Sequence, residues 1–178
     1  LLIADHFPFG AATENLSNKL GIEFQKGIVQ DSVYYDKNSN DQSQLEFSKE
    51  NKLLIEHVIT NGVNKVITFT GQSIKCKDSS GISFLTLSEA AYDMTPIPKI
   101  SKDGNDTQVE VTYENPQSAK GRSQGVAVKL GKGKIICLGE AAMLTAQKNR
   151  DDSKVGMNYN PDNKRLALNI LHWLTKKE

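Results

Sequence analysis

Three side chains that could act in a catalytic or metal site come directly after two apolar runs of the sequence. Asp5 and His6 follow residues 1–4, and Glu140 follows residues 135–138 after a single glycine. Carboxylates and a neutral imidazole can ligate catalytic zinc, or serve as general acid and general base. A glutamate in the first turn of a helix also favours the helix dipole, so capping is an equally good interpretation of Glu140.

Further polar side chains follow the β-branched run 65–69, which ends in a turn that contains Gln72 and Ser73. Parallel strands of an α/β sheet bring their carboxyl ends to one edge, so we expect the polar side chains after the three runs to meet there. Gln72 and Ser73 would then be hydrogen-bonding neighbours of the acids, in a ligand-binding role. Asn158, in the polar loop 151–161, is the third ligand-binding candidate.

The positions of these side chains depend on the strands and helices that the sequence predicts. Apolar and β-branched runs predict strands at residues 1–4, 22–29, 65–69, 84–87, 108–113, 125–130 and 134–138. Apolar spacing and cap residues predict helices at residues 11–20, 141–147 and 162–176. The glycine-rich tripeptide between the last two strands predicts an antiparallel hairpin. The segment 90–106, which contains two prolines and a glycine, is predicted to be a surface excursion.

Length and composition predict one globular domain over residues 1–178. Apolar residues make up 38% of the chain and charged residues 24%, which is ordinary for such a domain. The net charge of +1 gives no basis for binding nucleic acid, and no apolar run is long enough to span a bilayer. Because the sequence starts inside an apparent strand and without methionine, we expect the domain to lack its N-terminal strands. Strand 1–4 would then expose an open edge that another chain or segment covers.

The cysteines and the other two histidines indicate no further site. Cys76 and Cys137 are too few for a disulfide scaffold and lack the spacing of metal ligands. The apolar neighbours of Cys137 predict a buried core thiol. His57 is predicted to be a partly buried histidine that hydrogen-bonds to the backbone, and His172 to be a structural histidine beside the apolar stripe of the last helix.

Several phrases of the sequence resemble an uncharacterised bacterial family within the class I glutamine amidotransferase-like superfamily. They are IADHFPFG, FTGQS, GEAAMLTAQ, VGMN and LNILHWL, and the resemblance covers essentially the whole chain. It implies a flavodoxin-like three-layer α/β sandwich with a mostly parallel sheet, to which the antiparallel hairpin would be added. It also implies an exported protein, in a periplasmic or extracellular setting.

The residues that carry the superfamily's chemistry are not matched. The superfamily places a nucleophilic cysteine on a strand–turn–helix elbow, where this sequence has Asp5 and His6, and a catalytic histidine shortly before the acid, where only glycine precedes Glu140. Without a thiolate and its histidine base no glutamyl thioester can form. We therefore expect no glutamine amidotransferase activity, whatever the scaffold.

Three interpretations of the polar edge stay open. The first is a ligand-binding domain of an exported bacterial protein, in which Asp5, His6 and Glu140 hold a small polar ligand or a protein segment that completes the sheet. The second is a hydrolase-like or metal-assisted enzyme that uses the same three residues. In the third, these side chains only satisfy the backbone of turns and helix ends. The sequence specifies no cofactor and no metal.

Overall fold

The computed structural model describes residues 1–4, 13–77, 81–103 and 106–176 of the chain. They form thirteen β-strands, two α-helices and two short 3₁₀ turns, Val58–Thr60 and Ala142–Leu144. The strands are β1 (Leu2–Ala4), β2 (Ile22–Phe24), β3 (Ile28–Asp31), β4 (Glu46–Ser48), β5 (Lys65–Ile67), β6 (Ile74–Cys76), β7 (Ile82–Thr86), β8 (Ala91–Asp103), β9 (Asp106–Ser118), β10 (Ser123–Leu130), β11 (Gly133–Leu138), β12 (Ala146–Lys148) and β13 (Lys154–Gly156). The helices are α1 (Glu14–Lys19) and α2 (Pro161–Thr175).

The main sheet is mixed and largely antiparallel. Its strands follow the order β1-β11-β10-β6-β2, and β7 also pairs with β10. The β1–β11 pair is parallel, whereas β10–β11, β10–β6, β10–β7 and β2–β6 are antiparallel. The predicted flavodoxin-like sandwich with a mostly parallel sheet is therefore wrong, although the hairpin of β10 and β11 is confirmed. Parallel neighbours require long crossovers that are usually helical, and the described residues supply only two helices.

Two segments take a different structure from the one that the sequence predicts. The helix expected at 141–147 is the 3₁₀ turn followed by β12, which pairs with β13. Thr145 accepts a hydrogen bond from the Met157 N–H (2.7 Å), so pairing with a distant segment overrides the helix propensity of the alanines. The predicted excursion 90–106 includes β8, which pairs with β3 and with β9 in a separate three-stranded sheet.

The core lies on both faces of the main sheet. Successive residues of β11 point to opposite faces, so Ile136 and Leu138 pack with α2 while Ile135 and Cys137 belong to a second cluster. This second cluster also holds Ile3 of β1. Burial of both faces explains why β11 is a continuous apolar run and not an alternating one.

The N-terminal turn of α2 provides side-chain partners for the backbone of β5, which pairs only with β4 among the described strands. Asn163 bonds to both backbone groups of Ile67, accepting from its N–H (3.1 Å) and donating to its carbonyl (2.8 Å). Asp162 accepts from the Lys65 N–H (3.2 Å), and Asn160 donates to the Lys65 carbonyl (2.9 Å). Asparagine and aspartate side chains thus occupy the place of a further strand.

Candidate functional site

Two of the three strands that were expected to bring the predicted site residues together do end at the same edge of the main sheet. β1 and β11 end level, because their register pairs Ala4 with Leu138. Asp5 and His6, which follow β1 in the sequence, lie outside the described residues. The run 65–69 forms β5, which belongs to a separate two-stranded ladder, so the expectation that all three runs end at one edge of this sheet is wrong.

Glu140 is fully buried and its carboxylate caps the turn that follows it. One carboxylate oxygen accepts the Met143 N–H (2.7 Å), and the other accepts the Ala142 N–H. The backbone at residue 71 passes close to the Glu140 side chain. A Cβ atom at Gly71 would lie 2.6 Å from the Glu140 Cβ, so glycine allows this approach. The capping interpretation of Glu140 accounts for these contacts, with a 3₁₀ turn in place of a helix.

Gln72 lies beside Gly139 in a buried polar seam that also contains Gln124 and Thr68. The Gln72 N–H donates to the Gly139 carbonyl (2.7 Å), and the Gly139 N–H donates to the Gln124 carbonyl (2.9 Å). The Thr68 hydroxyl donates to Gln124 Oε1 (2.7 Å). Two buried atoms, Gln72 Oε1 and Gln124 Nε2, have no hydrogen-bond partner among the described residues. They are an acceptor and a donor of the kind that bound water satisfies.

Ser73 belongs to a partly buried ionic group that the sequence does not predict. Its hydroxyl donates to Asp93 Oδ2 (2.8 Å) and accepts from Arg122 Nε (2.6 Å). Arg122 also forms an ion pair with Glu23 (3.1 Å). Glu23 lies in β2 and Asp93 in β8, whereas Ser73 and Arg122 directly precede β6 and β10. Sequence spacing therefore contains no signal of the group. The four residues join the main sheet to the sheet that contains β8.

The charges and hydrogen bonds of this group hold the structure together and do not activate Ser73. Burial raises the pKa of Asp93 despite the Ser73 hydrogen bond and the Arg122 charge, whereas the hydrogen bond from Arg122 holds the pKa of Glu23 below its usual value. The guanidinium donates hydrogen bonds to the side-chain oxygens and to the backbone carbonyls of both Ser73 and Glu23. A nucleophilic serine needs an adjacent base whose pKa suits proton transfer and a free approach for substrate, and Ser73 is wholly buried.

Asn158 and His57 also have structural partners. Asn158 is exposed on the loop between β13 and α2, and its amide donates to the Gln147 carbonyl of β12 (3.3 Å). His57 Nδ1 accepts the Ile59 N–H (3.3 Å) and caps a 3₁₀ turn, which confirms the prediction of a backbone-bonded histidine. Burial is the main cause that lowers the pKa of His57, and its ring packs edge-on against Trp173 at 5.9 Å.

Neither cysteine has the environment of a nucleophile. Cys137 lies in the middle of the sheet with no exposed surface, and burial raises the pKa of its thiol to about 12. Cys76 is half-buried in β6. Across residues 1–4, 13–77, 81–103 and 106–176, no group of three or more His, Cys, Asp or Glu side chains could hold a metal ion.

An apolar groove of about 320 Å³ lies between β1 and α2. Leu2 forms one wall, and Leu168 and Leu171 of α2 form the other, with exposed fractions of 36%, 47% and 51%. Within the part of the chain that the structure describes, β1 pairs with β11 alone. The groove therefore runs beside an edge of β1 whose backbone N–H and C=O groups can form hydrogen bonds with an added strand.

The fold and these sites define a mainly β protein, with a mixed sheet that has core residues on both faces and with buried polar side chains that connect its elements. Searches against protein-family models, curated proteins and solved structures find no match to the chain. The likeness to the glutamine amidotransferase-like superfamily thus stays a prediction from sequence phrases. In the described residues, no helix has the length and apolar character needed to cross a membrane.

Proposed function

We propose that the chain is a non-catalytic binding domain that accepts an extended segment of another polypeptide along β1. Among the described residues β1 pairs with a strand on one side only, and the apolar groove under α2 lies beside it. This is the observation that carries the proposal. Strand addition supplies backbone hydrogen bonds for affinity, while pockets for alternate side chains supply specificity. A protein segment that completes the sheet is also one of the two partner classes that the sequence predicts.

The geometry of β1 supports an occupant with apolar residues at every second position. Ile3 points into the second core cluster, whereas Leu2 points into the groove. A strand added beside β1 would lie about 4.8 Å away, with its side chains alternating in the same way. Its groove-facing side chains would cover Leu168 and Leu171, whose apolar surfaces would leave water.

An enzyme that uses Asp5, His6 and Glu140 has less support. The Glu140 carboxylate already accepts two backbone hydrogen bonds in a fully buried site, so its use as a general acid or a metal ligand would break the turn. An exported setting, predicted from the resemblance, is compatible with either function.

Selection of random ten-residue peptides displayed on phage tests the proposal. We expect the wild-type chain to enrich peptides with apolar residues at alternate positions, and bound peptide to protect the β1 amides from hydrogen exchange. The variant Leu168→Glu/Leu171→Glu places charges in the groove and should weaken binding at least about tenfold, since charge is costly to desolvate.

The variant Arg165→Glu/His172→Glu is the matched control. It places two glutamates on the same helix, at residues that do not line the groove, and should bind like the wild type. Equal enrichment by all three proteins, or protection that maps away from β1, would contradict strand addition at this edge.

A further inference from the structure

The sequence contains a single Asn-Gly pair, Asn61–Gly62, and the structure places it in an exposed turn. The pair directly follows the 3₁₀ turn, and a hydrogen bond from the Val63 N–H to the Thr60 carbonyl (3.1 Å) closes the turn around it. Asn61 has a φ of −63° and a ψ of 126°, and Gly62 has a φ of 71°. These angles are those of a type II turn, whose third residue needs a positive φ and is therefore usually glycine.

An asparagine that precedes glycine can undergo an intramolecular reaction. The Gly62 backbone nitrogen attacks Cγ of Asn61, and the new C–N bond closes a succinimide ring. The Cγ–Nδ2 bond breaks, and the side-chain amide leaves as ammonia with the proton of the Gly62 N–H. Water then adds to either carbonyl of the ring and opens it to aspartate or isoaspartate. Glycine favours the attack because it has no Cβ that would hinder its nitrogen.

The two reacting groups are accessible. Asn61 and Gly62 are both exposed. Among the described residues, no hydrogen bond engages the Asn61 side-chain amide or the Gly62 N–H. Neither burial nor a hydrogen bond to the reacting atoms therefore protects the pair, and the backbone conformation of the turn decides whether it reacts.

The type II turn keeps the pair in an unreactive conformation. Ring closure requires the Asn61 Cβ and the Gly62 nitrogen to be nearly eclipsed about the Cα–C bond of Asn61. At a ψ of 126° they are not eclipsed, and this bond must first rotate by roughly a third of a turn. The rotation moves the Asn61 carbonyl, so a contact that holds this carbonyl in place opposes the reaction.

Asn169 of α2 holds the Asn61 carbonyl. Its amide nitrogen donates to the Asn61 carbonyl (2.9 Å) and to the Ile59 carbonyl (2.8 Å). A side-chain amide has two N–H donors, so one asparagine can serve both acceptors. The partly buried Asn169 therefore ties the turn to the helix at two points, and one of them is the carbonyl that must move.

We propose that Asn61 is a latent deamidation site, and that Asn169 sets its rate by holding the turn in the unreactive conformation. The reaction proceeds from the fraction of molecules in which the turn opens locally. Isoaspartate adds one backbone atom within the turn, so the Thr60–Val63 hydrogen bond cannot form as before. Deamidation therefore loosens the contact between the turn and α2. The proposal does not depend on strand addition at β1.

Peptide mass spectrometry of the full chain, incubated at mildly alkaline pH in heavy-oxygen water, tests the proposal. The wild type should deamidate at Asn61 at least about tenfold more slowly than a synthetic peptide of residues 58–64, since only the opened fraction reacts. Asn169→Asp removes both N–H donors with little change in volume and should react about tenfold faster than the wild type. Asn38, exposed in a separate loop, should deamidate at the same rate in both proteins and reports general unfolding.

Two further variants separate loss of the Asn169 hydrogen bonds from other effects. Asn169→Ala removes the donors without adding a charge and should also accelerate deamidation at Asn61. Asn163→Ala is the matched control, because it removes an amide that bonds to Ile67 from the same helix, and its Asn61 rate should stay within about twofold of wild type. A wild type that reacts as fast as the peptide would overturn the proposal. So would Asn169 variants that react at the wild-type rate, or an acceleration that Asn163→Ala matches.

Discussion

At the scale of single residues, Glu140 is explained by the turn that it caps. Replacing it by alanine leaves the part-buried N–H of Ala142 and the buried N–H of Met143 without their carboxylate acceptor. We expect Glu140→Ala to lower the free energy of unfolding by about 2–4 kcal/mol. Glu140→Gln keeps one acceptor oxygen and should cost less. Urea denaturation at neutral pH measures both losses.

The exposed Glu50 provides the control for this prediction, because Glu50→Ala should change stability by no more than about 0.5 kcal/mol. If Glu140→Ala unfolds at the same urea concentration as the wild type, the two capping hydrogen bonds are not formed in solution. The carboxylate would then be available for the site that the sequence suggests.

Asp93 should make stability depend on pH in a defined direction. Burial raises its folded-state pKa, so the folded protein holds the Asp93 proton more tightly than the unfolded chain does. The contribution to stability is therefore fully present below the ordinary pKa of aspartate, and is lost as pH rises through the raised value. Asn at this position cannot titrate, so Asp93→Asn should gain stability relative to wild type as pH rises from about 4 to 7.

Asp151 tests the sign of this effect. Its side chain is exposed, and hydrogen bonds from Ser153 lower its pKa, so Asp151→Asn should change the pH profile in the opposite sense. Urea denaturation of the three proteins at several pH values measures the difference. Parallel profiles for wild type and Asp93→Asn would show that the Asp93 carboxyl is better solvated than its 5% exposed side chain indicates.

At the scale of elements, the contact between α2 and β5 depends on Asn163. This buried amide bonds to both backbone groups of Ile67, which no strand pairs on that side among the described residues. We expect Asn163→Ala to lower the free energy of unfolding by about 2–4 kcal/mol, because two buried backbone groups lose their partner. The neighbouring exposed residue supplies the control, and Lys164→Ala should be within about 0.5 kcal/mol of wild type.

Hydrogen exchange gives the second readout for Asn163→Ala. The Ile67 amide should exchange faster in this variant, while β10 and β11, which pair with each other, should keep their protection. Unchanged exchange at Ile67 would mean that β5 does not depend on the helix for its hydrogen bonds.

At the scale of the whole molecule, we expect the chain not to hydrolyse glutamine. Its two thiols are at Cys76 in β6 and Cys137 in β11, and burial raises the Cys137 pKa to about 12. A thiolate with a histidine base is what glutaminase chemistry requires. Ammonia release from glutamine, assayed with the wild type and with Cys76→Ser, measures this. Activity that disappears in Cys76→Ser would show that the thiol has a role that its position does not reveal.

The candidate site was only partly predictable from the sequence. The sequence places Glu140 directly after a buried strand and offers capping as one of two interpretations, because a strand, a glycine and an acid form a local pattern. The sequence predicts a ligand-binding role for Ser73, whereas its partners Asp93, in β8, and Arg122, directly before β10, are far away in the chain. No spacing rule connects residues 73, 93 and 122, so this ionic group was not predictable.

The sequence by itself determined the local structure where burial and turn chemistry agree. The hairpin of β10 and β11 follows from two apolar runs joined by glycines, and α2 follows from the stripe that buries Leu166 and Ile170. Its N-cap is Asn160, and not Asp162 or Asn163 as the sequence suggests. Both elements depend on contacts between residues close in the chain, or on a period that a single face imposes.

Only the tertiary structure decided strand direction, strand neighbours and the fate of weak helices. An apolar run buried on both faces has the same composition in a parallel and in an antiparallel sheet, so composition gave no sign that the sheet would be largely antiparallel beyond the predicted hairpin of β10 and β11. The prolines of β8 indicated a loop, yet the long ladder with β9 tolerates them because β8 is an edge strand there. Pairing between distant segments supplies more hydrogen bonds and burial than local propensity does, and that is why it decided the fold.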